Sequence, residues 1–166
     1  MAMRIRDLQA PPELIAAWSR EIEELTPIQE QAVLAGVLAG DGNLLVVGPT
    51  TSGKSFIGEM AATKAAFGGQ RHAILAVPMV SLADEHYLRM KERYRDVLNV
   101  VISTGDWTEF DDHVRTGGFD LAVVTYEKLA ILLGQAPGLL ERCGCVVVDE
   151  AQMIADQHRG LASSSS

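Results

Sequence analysis

The chain has 166 residues, 48% of them hydrophobic and 22% charged, with a formal net charge of −8. That length suffices for one domain with a real core, and the composition is that of an ordinary globular protein. The acidic balance argues against a surface built for tight electrostatic binding of nucleic acid. No apolar run approaches the span of a bilayer, and the start "MAMRIRDLQAPPELI" lacks a signal-peptide core, so no membrane role is expected and the cytoplasm (or the nucleus in a eukaryote) is the expected compartment.

In chain order, "PPELIAAWSREI" and "TPIQEQAVLAGVLAG" read as helices that precede a sheet. The apolar run "NLLVV" predicts a strand, and "KSFIGEMAATKAAF", with apolar residues at helical spacing, predicts a helix stopped by Gly68 and Gly69. Further strands are predicted at "HAILAV", "LNVVIS", "FDLAVVT" and "CGCVVVD". Between them lie the helical "SLADEHYLRMKERYRDV", the loop-rich "TGDWTEFDDHVRTGG" and the helical "YEKLAILLGQAPGLLERC". Strands alternating with helices, and apolar throughout, predict a mostly parallel, doubly wound α/β sheet with helices on both faces. Cys143 and Cys145 stand two apart in one strand, point to one face and read as reduced packing residues. The tail "LASSSS" reads as disordered.

Two stretches carry chemistry. "GPTTSGKS", Gly48 to Ser55, has the G-x-x-x-x-G-K-S spacing of a phosphate-binding loop between a strand and a helix. Such a loop turns backbone N–H groups inward, and Gly48, Pro49, Thr50, Thr51, Ser52 and Gly53 are small enough to let phosphates approach. Lys54 brings positive charge to the outer phosphates, and the Ser55 hydroxyl is suited to ligate Mg²⁺. "CVVVDEAQ" places Asp149 and Glu150 at the carboxyl end of a strand, the edge where open α/β sheets bind ligands. Asp149 fits the second Mg²⁺-holding position, and Glu150 fits the group that orients and deprotonates water. No guanine-reading N-K-x-D occurs, which speaks against a GTPase.

With these pieces placed, the chain resembles superfamily 2 helicases of the DEAD/DExH-box type from about Leu25 to Gly160. "LTPIQEQAV" looks like the Q motif, "GPTTSGKS" like motif I, "AVPMVSLADEHY" like motif Ia, "VVTYEK" like motif Ib and "VVVDEAQ" like motif II. With "STGD" and a later "RG", the set is most similar to the branch of exosome-type RNA helicases and archaeal fork-remodelling DNA helicases, which usually has histidine where this chain has Gln152.

The resemblance implies a RecA-like phosphate-loop NTPase domain over 25–160, incomplete at its C-terminus, after a helical lead-in over 1–24 and before a tail at 161–166. It implies ATP and Mg²⁺ as cofactors, with the carboxamide of Gln29 reading adenine. It implies a single strand of RNA or DNA lying along Pro78, Ser81, Thr104, Gly105, Thr125 and Glu127. Small and polar residues at such places meet phosphates through backbone N–H groups, which reconciles an acidic domain with this partner. The function implied is the ATP-binding part of a nucleic-acid-dependent ATPase and helicase, with a non-catalytic ATP-binding or interaction module as the alternative. Motif III and the second RecA-like domain, a further partner, are not seen in these 166 residues. In the family the motif III strand lies between the motif I and motif II strands. "NLLVV" and "CVVVD" are therefore expected to flank a gap, or to close on each other and misplace Asp149.

Overall fold

A computed structural model describes residues 1–40 and 42–156; the "RG" at 159–160 and the tail lie outside the described residues. Four strands, β1 (His72–Val77), β2 (Val100–Ser103), β3 (Leu121–Thr125) and β4 (Cys143–Val148), form one sheet of order β2-β3-β1-β4. Every pairing is parallel. β1 and β3 are buried along their whole length, as their unbroken apolar runs require of central strands.

Successive side chains of a strand leave by opposite faces, so two cores form. Ala73, Leu75, Val77, Ile102, Leu121 and Val123 face helices α1 (Pro12–Trp18), α3 (Lys54–Ala66) and α4 (Val80–Arg93), which contribute Trp18, Met60 and Met90. Ile74, Ala76, Val101, Ala122 and Val124 face the other layer, with Val114 of α5 (Asp111–Thr116) and Leu132 of α6 (Tyr126–Gln135). The sheet is doubly wound, as the alternation of elements predicts.

The lead-in is part of this core. Ile5, Leu8, Leu14 and Trp18 are buried in the first cluster, and an antiparallel bridge between Arg4 and Glu24 folds residues 1–25 back on themselves. The next helix, α2 (Pro27–Leu34), starts with a capping box made by Thr26 and Gln29 and has Pro27 in its first turn.

One expectation needs correction. "NLLVV" forms no strand: residues 43–49 pair with no described strand, and Leu45 and Val47 are each 81% exposed. Opposite them Val146 and Val148 of β4 are exposed as well. A cleft of about 1110 Å³ opens between the two segments. The physical reason is that a strand is defined by its partner. One edge of β4 is taken by β1, and no described residue lies between its other edge and residues 43–49. The two segments thus flank a gap and do not close on each other. β4 is nonetheless held from one face, because Gly58 of α3 packs against it. A Cβ at Gly58 would stand 2.6 Å from Val147 Cγ1, so only glycine lets the helix come so close.

A longer chain that supplies the motif III strand should melt at a markedly higher temperature than the 166-residue chain, because it pairs the open edge and covers these apolar faces. Thermal unfolding of both decides the matter. A short chain that melts as a cooperative monomer as high as the longer one would refute the role of the gap.

Candidate nucleotide-binding site

The phosphate loop is closed upon itself. After Pro49 the chain makes a 3-10 turn over Thr50–Ser52, and Gly53 then caps α3 with a left-handed φ of 83°. Glycine is required there twice over, since a Cβ would also lie 2.5 Å from Gln29 Nε2. At Gly48 a Cβ would meet the end of the Ile28 side chain, 2.7 Å from Cδ1. Ser52 Oγ donates to the Pro49 carbonyl at 2.6 Å, and the Lys54 ammonium donates to the Gly48 carbonyl. Lys54 thus spans the loop where phosphate oxygens are expected.

β4 delivers the second half. The Asp149 N–H donates to the Ala76 carbonyl at 3.0 Å, continuing the ladder one residue past the strand. Its Oδ2 accepts from Ser55 Oγ at 3.2 Å, and its Oδ1 accepts from the Glu150 N–H at 3.0 Å. His86 Nε2 lies 3.3 Å from the same Oδ2. The His86 hydrogen bond holds the Asp149 carboxyl below its ordinary range; burial opposes it, and the Glu150 N–H and Ser55 add to the lowering. The Tyr126 hydroxyl donates to the Asp149 carbonyl, and burial with the charges of Asp149 and Glu150 pushes that phenol up to about 12.

Glu150 has a φ of 55°, the one left-handed non-glycine among the described residues. Such a conformation costs roughly 1–2 kcal/mol. Gln152, which stands where the resembling branch has histidine, donates its carboxamide to the Glu150 carboxylate. The left-handed backbone and the bond from Gln152 are the two constraints seen on Glu150.

The donor set suits a hard cation. Ser55 Oγ and Asp149 Oδ2 are 3.2 Å apart, close to the roughly 3 Å between adjacent oxygens around octahedral Mg²⁺. Among the described residues no cluster of three or more His, Cys, Asp or Glu forms a metal cage. Mg²⁺ ordinarily needs only one or two carboxylates beside substrate phosphates, so a single Asp beside a phosphate loop fits.

Gln29 is placed differently from a free adenine reader. It is 1% exposed, accepts from the Thr26 N–H at 2.9 Å through Oε1 and donates to the Gly53 carbonyl at 3.0 Å through Nε2. Thr26 Oγ1 donates to the Ser52 carbonyl at 3.0 Å. The start of α2 therefore braces the phosphate loop from behind.

The remaining sequence candidates gather on the same sheet edge as Asp149. Pro78 and Ser81 follow β1, Thr104 and Gly105 follow β2, and Thr125 and Glu127 stand at the end of β3. Ser81, Gly105 and Glu127 are exposed and Pro78 is half-buried. Thr104 is buried, its hydroxyl accepting from the N–H groups of Asp106 and Trp107, and Thr125 caps α6 by accepting from the Lys128 N–H. Those two threonines shape their loops, and their neighbours form the surface. Trp107 is 39% exposed beside Tyr87, with ring centroids 6.3 Å apart.

Spacing gave no sign of the residues that brace this site from α4. Of its basic run, Lys91 is exposed, whereas Arg89 and Arg93 turn inward to a buried Glu59 on α3. Tyr94 also donates to Glu59, at 2.6 Å. A second anchor lies near the nucleic-acid candidates: Asp111 accepts from Ser103 at 2.5 Å and from Lys128 at 2.7 Å. Burial pushes the Asp111 carboxyl up, but the bonds from Lys128 and Ser103 outweigh it and hold it below its ordinary range. The signal for Glu59 was available in principle, as the one carboxylate of α3, set between the apolar Ile57 and Met60.

A closed phosphate loop joined to a strand-end carboxylate across a parallel sheet defines a phosphate-loop nucleotide site. Comparison with known proteins narrows this. The model of the DEAD/DEAH box helicase family matches residues 26–164. The ATP-dependent DNA helicase Hel308 of Pyrobaculum calidifontis is 42% identical over 159 residues, which is 95% of this chain and 22% of that protein. Hel308 of Caldivirga maquilingensis is 35% identical over 161 residues, and that of Pyrococcus abyssi 36% over 141 residues. The chain belongs to the DEAD/DEAH box helicase family, and it spans about a fifth of the length of these relatives.

Gln29→Ala removes one arm of the capping box and the strut to Gly53 together. The expected loss of stability is about 0.5–2 kcal/mol, read from the midpoint of urea unfolding. An unchanged midpoint would show that the brace behind the loop carries no load.

Proposed function

We propose that this chain is the ATP-binding lobe of a nucleic-acid-dependent ATPase and helicase, with DNA as the strand it works on. The bond between Ser55 and Asp149 carries this reading, since it joins loop and carboxylate across 94 residues into one site. DNA is favoured because the similar Hel308 proteins are DNA helicases by name.

Ser55 and Asp149 would hold Mg²⁺, which would neutralise charge on the phosphates. Lys54 leaves the Gly48 carbonyl for the outer phosphates, and Glu150 takes a proton from the attacking water. The family resemblance gives Gln29 the reading of adenine, with the same carboxamide tied to the phosphate loop through Thr26 and Gly53. A single strand crosses the carboxyl edge at Pro78, Ser81, Gly105 and Glu127, meeting backbone N–H groups more than basic side chains. A second RecA-like domain closes over ATP and supplies an arginine; this chain spans about a fifth of the similar Hel308 proteins, which leaves length for such a domain.

Titration of the chain with a fluorescent ATP analogue tests the nucleotide site. Binding should strengthen with Mg²⁺, favour ATP over GTP, and fall sharply in Lys54→Ala. Equal affinity of mutant and wild type would sink the assignment, and equal affinity for ATP and GTP would sink the role of Gln29.

Hydrolysis by the 166-residue chain should be slow even with single-stranded DNA, since an arginine supplied to related NTPases is worth roughly 10³–10⁵ in rate. Strong DNA-stimulated turnover that Glu150→Gln abolishes would overturn this.

A further inference from the structure

From α4 runs a line of buried and half-buried polar groups that the reaction as described leaves unused. His86 is buried, with Nε2 lying 3.3 Å from Asp149 Oδ2. Arg89 Nη2 lies 2.8 Å from His86 Nδ1. A guanidinium only donates, so Nδ1 must accept and the imidazole proton must sit on Nε2, aimed at Asp149. Arg89 is placed in turn by Glu59, 3.6 Å from its Oε2, and Glu59 is fixed by Arg93 and Tyr94. The line thus runs from α3, the helix of the phosphate loop, through α4 to the carboxylate after β4.

A histidine that merely fills a core usually satisfies its ring on nearby backbone, as His72 does with the Leu139 carbonyl at 2.8 Å. His86 instead spends both ring nitrogens on charged side chains, one of them in the nucleotide site. We propose that His86 is a positioning residue for Asp149, its tautomer set by Arg89, so that the carboxylate is held toward Ser55 and ready for Mg²⁺. The proposal rests on the assignment of Asp149 and Ser55 to Mg²⁺ made above. Asp149 is otherwise oriented by the N–H of Glu150, its own neighbour in the chain, and by Ser55 of α3, itself assigned to the same ion. Among the described residues, only His86 holds Oδ2 from a third element. Because α4 begins just after Pro78 on the proposed strand surface, that element also links the nucleic-acid edge to the carboxylate.

The test compares wild type, His86→Leu and His86→Gln by titrating Mg²⁺ into chain mixed with a fluorescent ATP analogue, with thermal unfolding run alongside. Leucine keeps the bulk and removes the donor. Glutamine restores an N–H near the Nε2 position and an oxygen that can accept from Arg89. Loss of an outer partner typically weakens metal binding about 10–100-fold, and that is expected for His86→Leu, with affinity for the analogue without Mg²⁺ unchanged. His86→Gln should recover to within a few-fold of wild type. His86→Leu binding Mg²⁺ as wild type does, or His86→Gln binding it as weakly as His86→Leu, overturns the proposal. A wild type whose analogue binding ignores Mg²⁺ overturns the Ser55–Asp149 assignment itself, and this proposal with it.

Discussion

The hydrogen bond from Ser55 to Asp149 is the contact on which the site depends, and it is set by geometry far from either residue. β4 must pair with β1 in the register that puts Val148 opposite Ala76, so that Asp149 emerges level with the start of α3. α3 must lie close against β4, which the absent side chain of Gly58 permits. The loop must turn sharply into α3, which Gly53 does in a conformation that L side chains rarely adopt. Three backbone conditions thus place one hydroxyl beside one carboxylate, and the chemistry of the site follows.

Charge is distributed with the same economy. A net charge of −8 is awkward for a protein proposed to hold phosphates. Arg89 and Arg93 do not relieve it, because they neutralise the buried Glu59. Removing one partner of a buried pair such as Arg93 and Glu59 commonly costs about 3–5 kcal/mol, so Arg93 is committed to the fold, with Arg89 turned to the same carboxylate. The phosphate-facing work is left to Lys54, hydroxyls and backbone N–H groups at strand ends.

Much of the architecture was legible in the sequence. Every apolar run that has a neighbour became a strand, with bounds within a few residues of those expected, because continuous Val, Ile, Leu and Ala suits a strand covered on both faces. "NLLVV" has the same composition and failed, since pairing is a property of two segments and composition describes one. The loop and Asp149 were legible because backbone chemistry forces a fixed spacing. Gln29 was legible as a motif residue, yet its burial in a cap depends on where Gly53 sits in space. His86, Arg89 and Glu59 come from two helices, and nothing in their separate patterns shows that they share a line. Thr104 is the reverse case: a conspicuous polar residue whose hydroxyl serves its own loop.

The open side of β4 has a consequence for how the molecule breathes. Alternate amides of a strand point to opposite sides. The Asp149 N–H reaches β1, so by alternation the N–H groups of Val146 and Val148 face the cleft. Deuterium from solvent should enter those amides long before it reaches their counterparts in β1 and β3, giving neighbouring residues of one strand very different protection. The nucleotide carboxylate therefore hangs from the most exposed strand of the sheet, and anything that settles into the cleft would slow exchange at β4 and steady Asp149 in the same step.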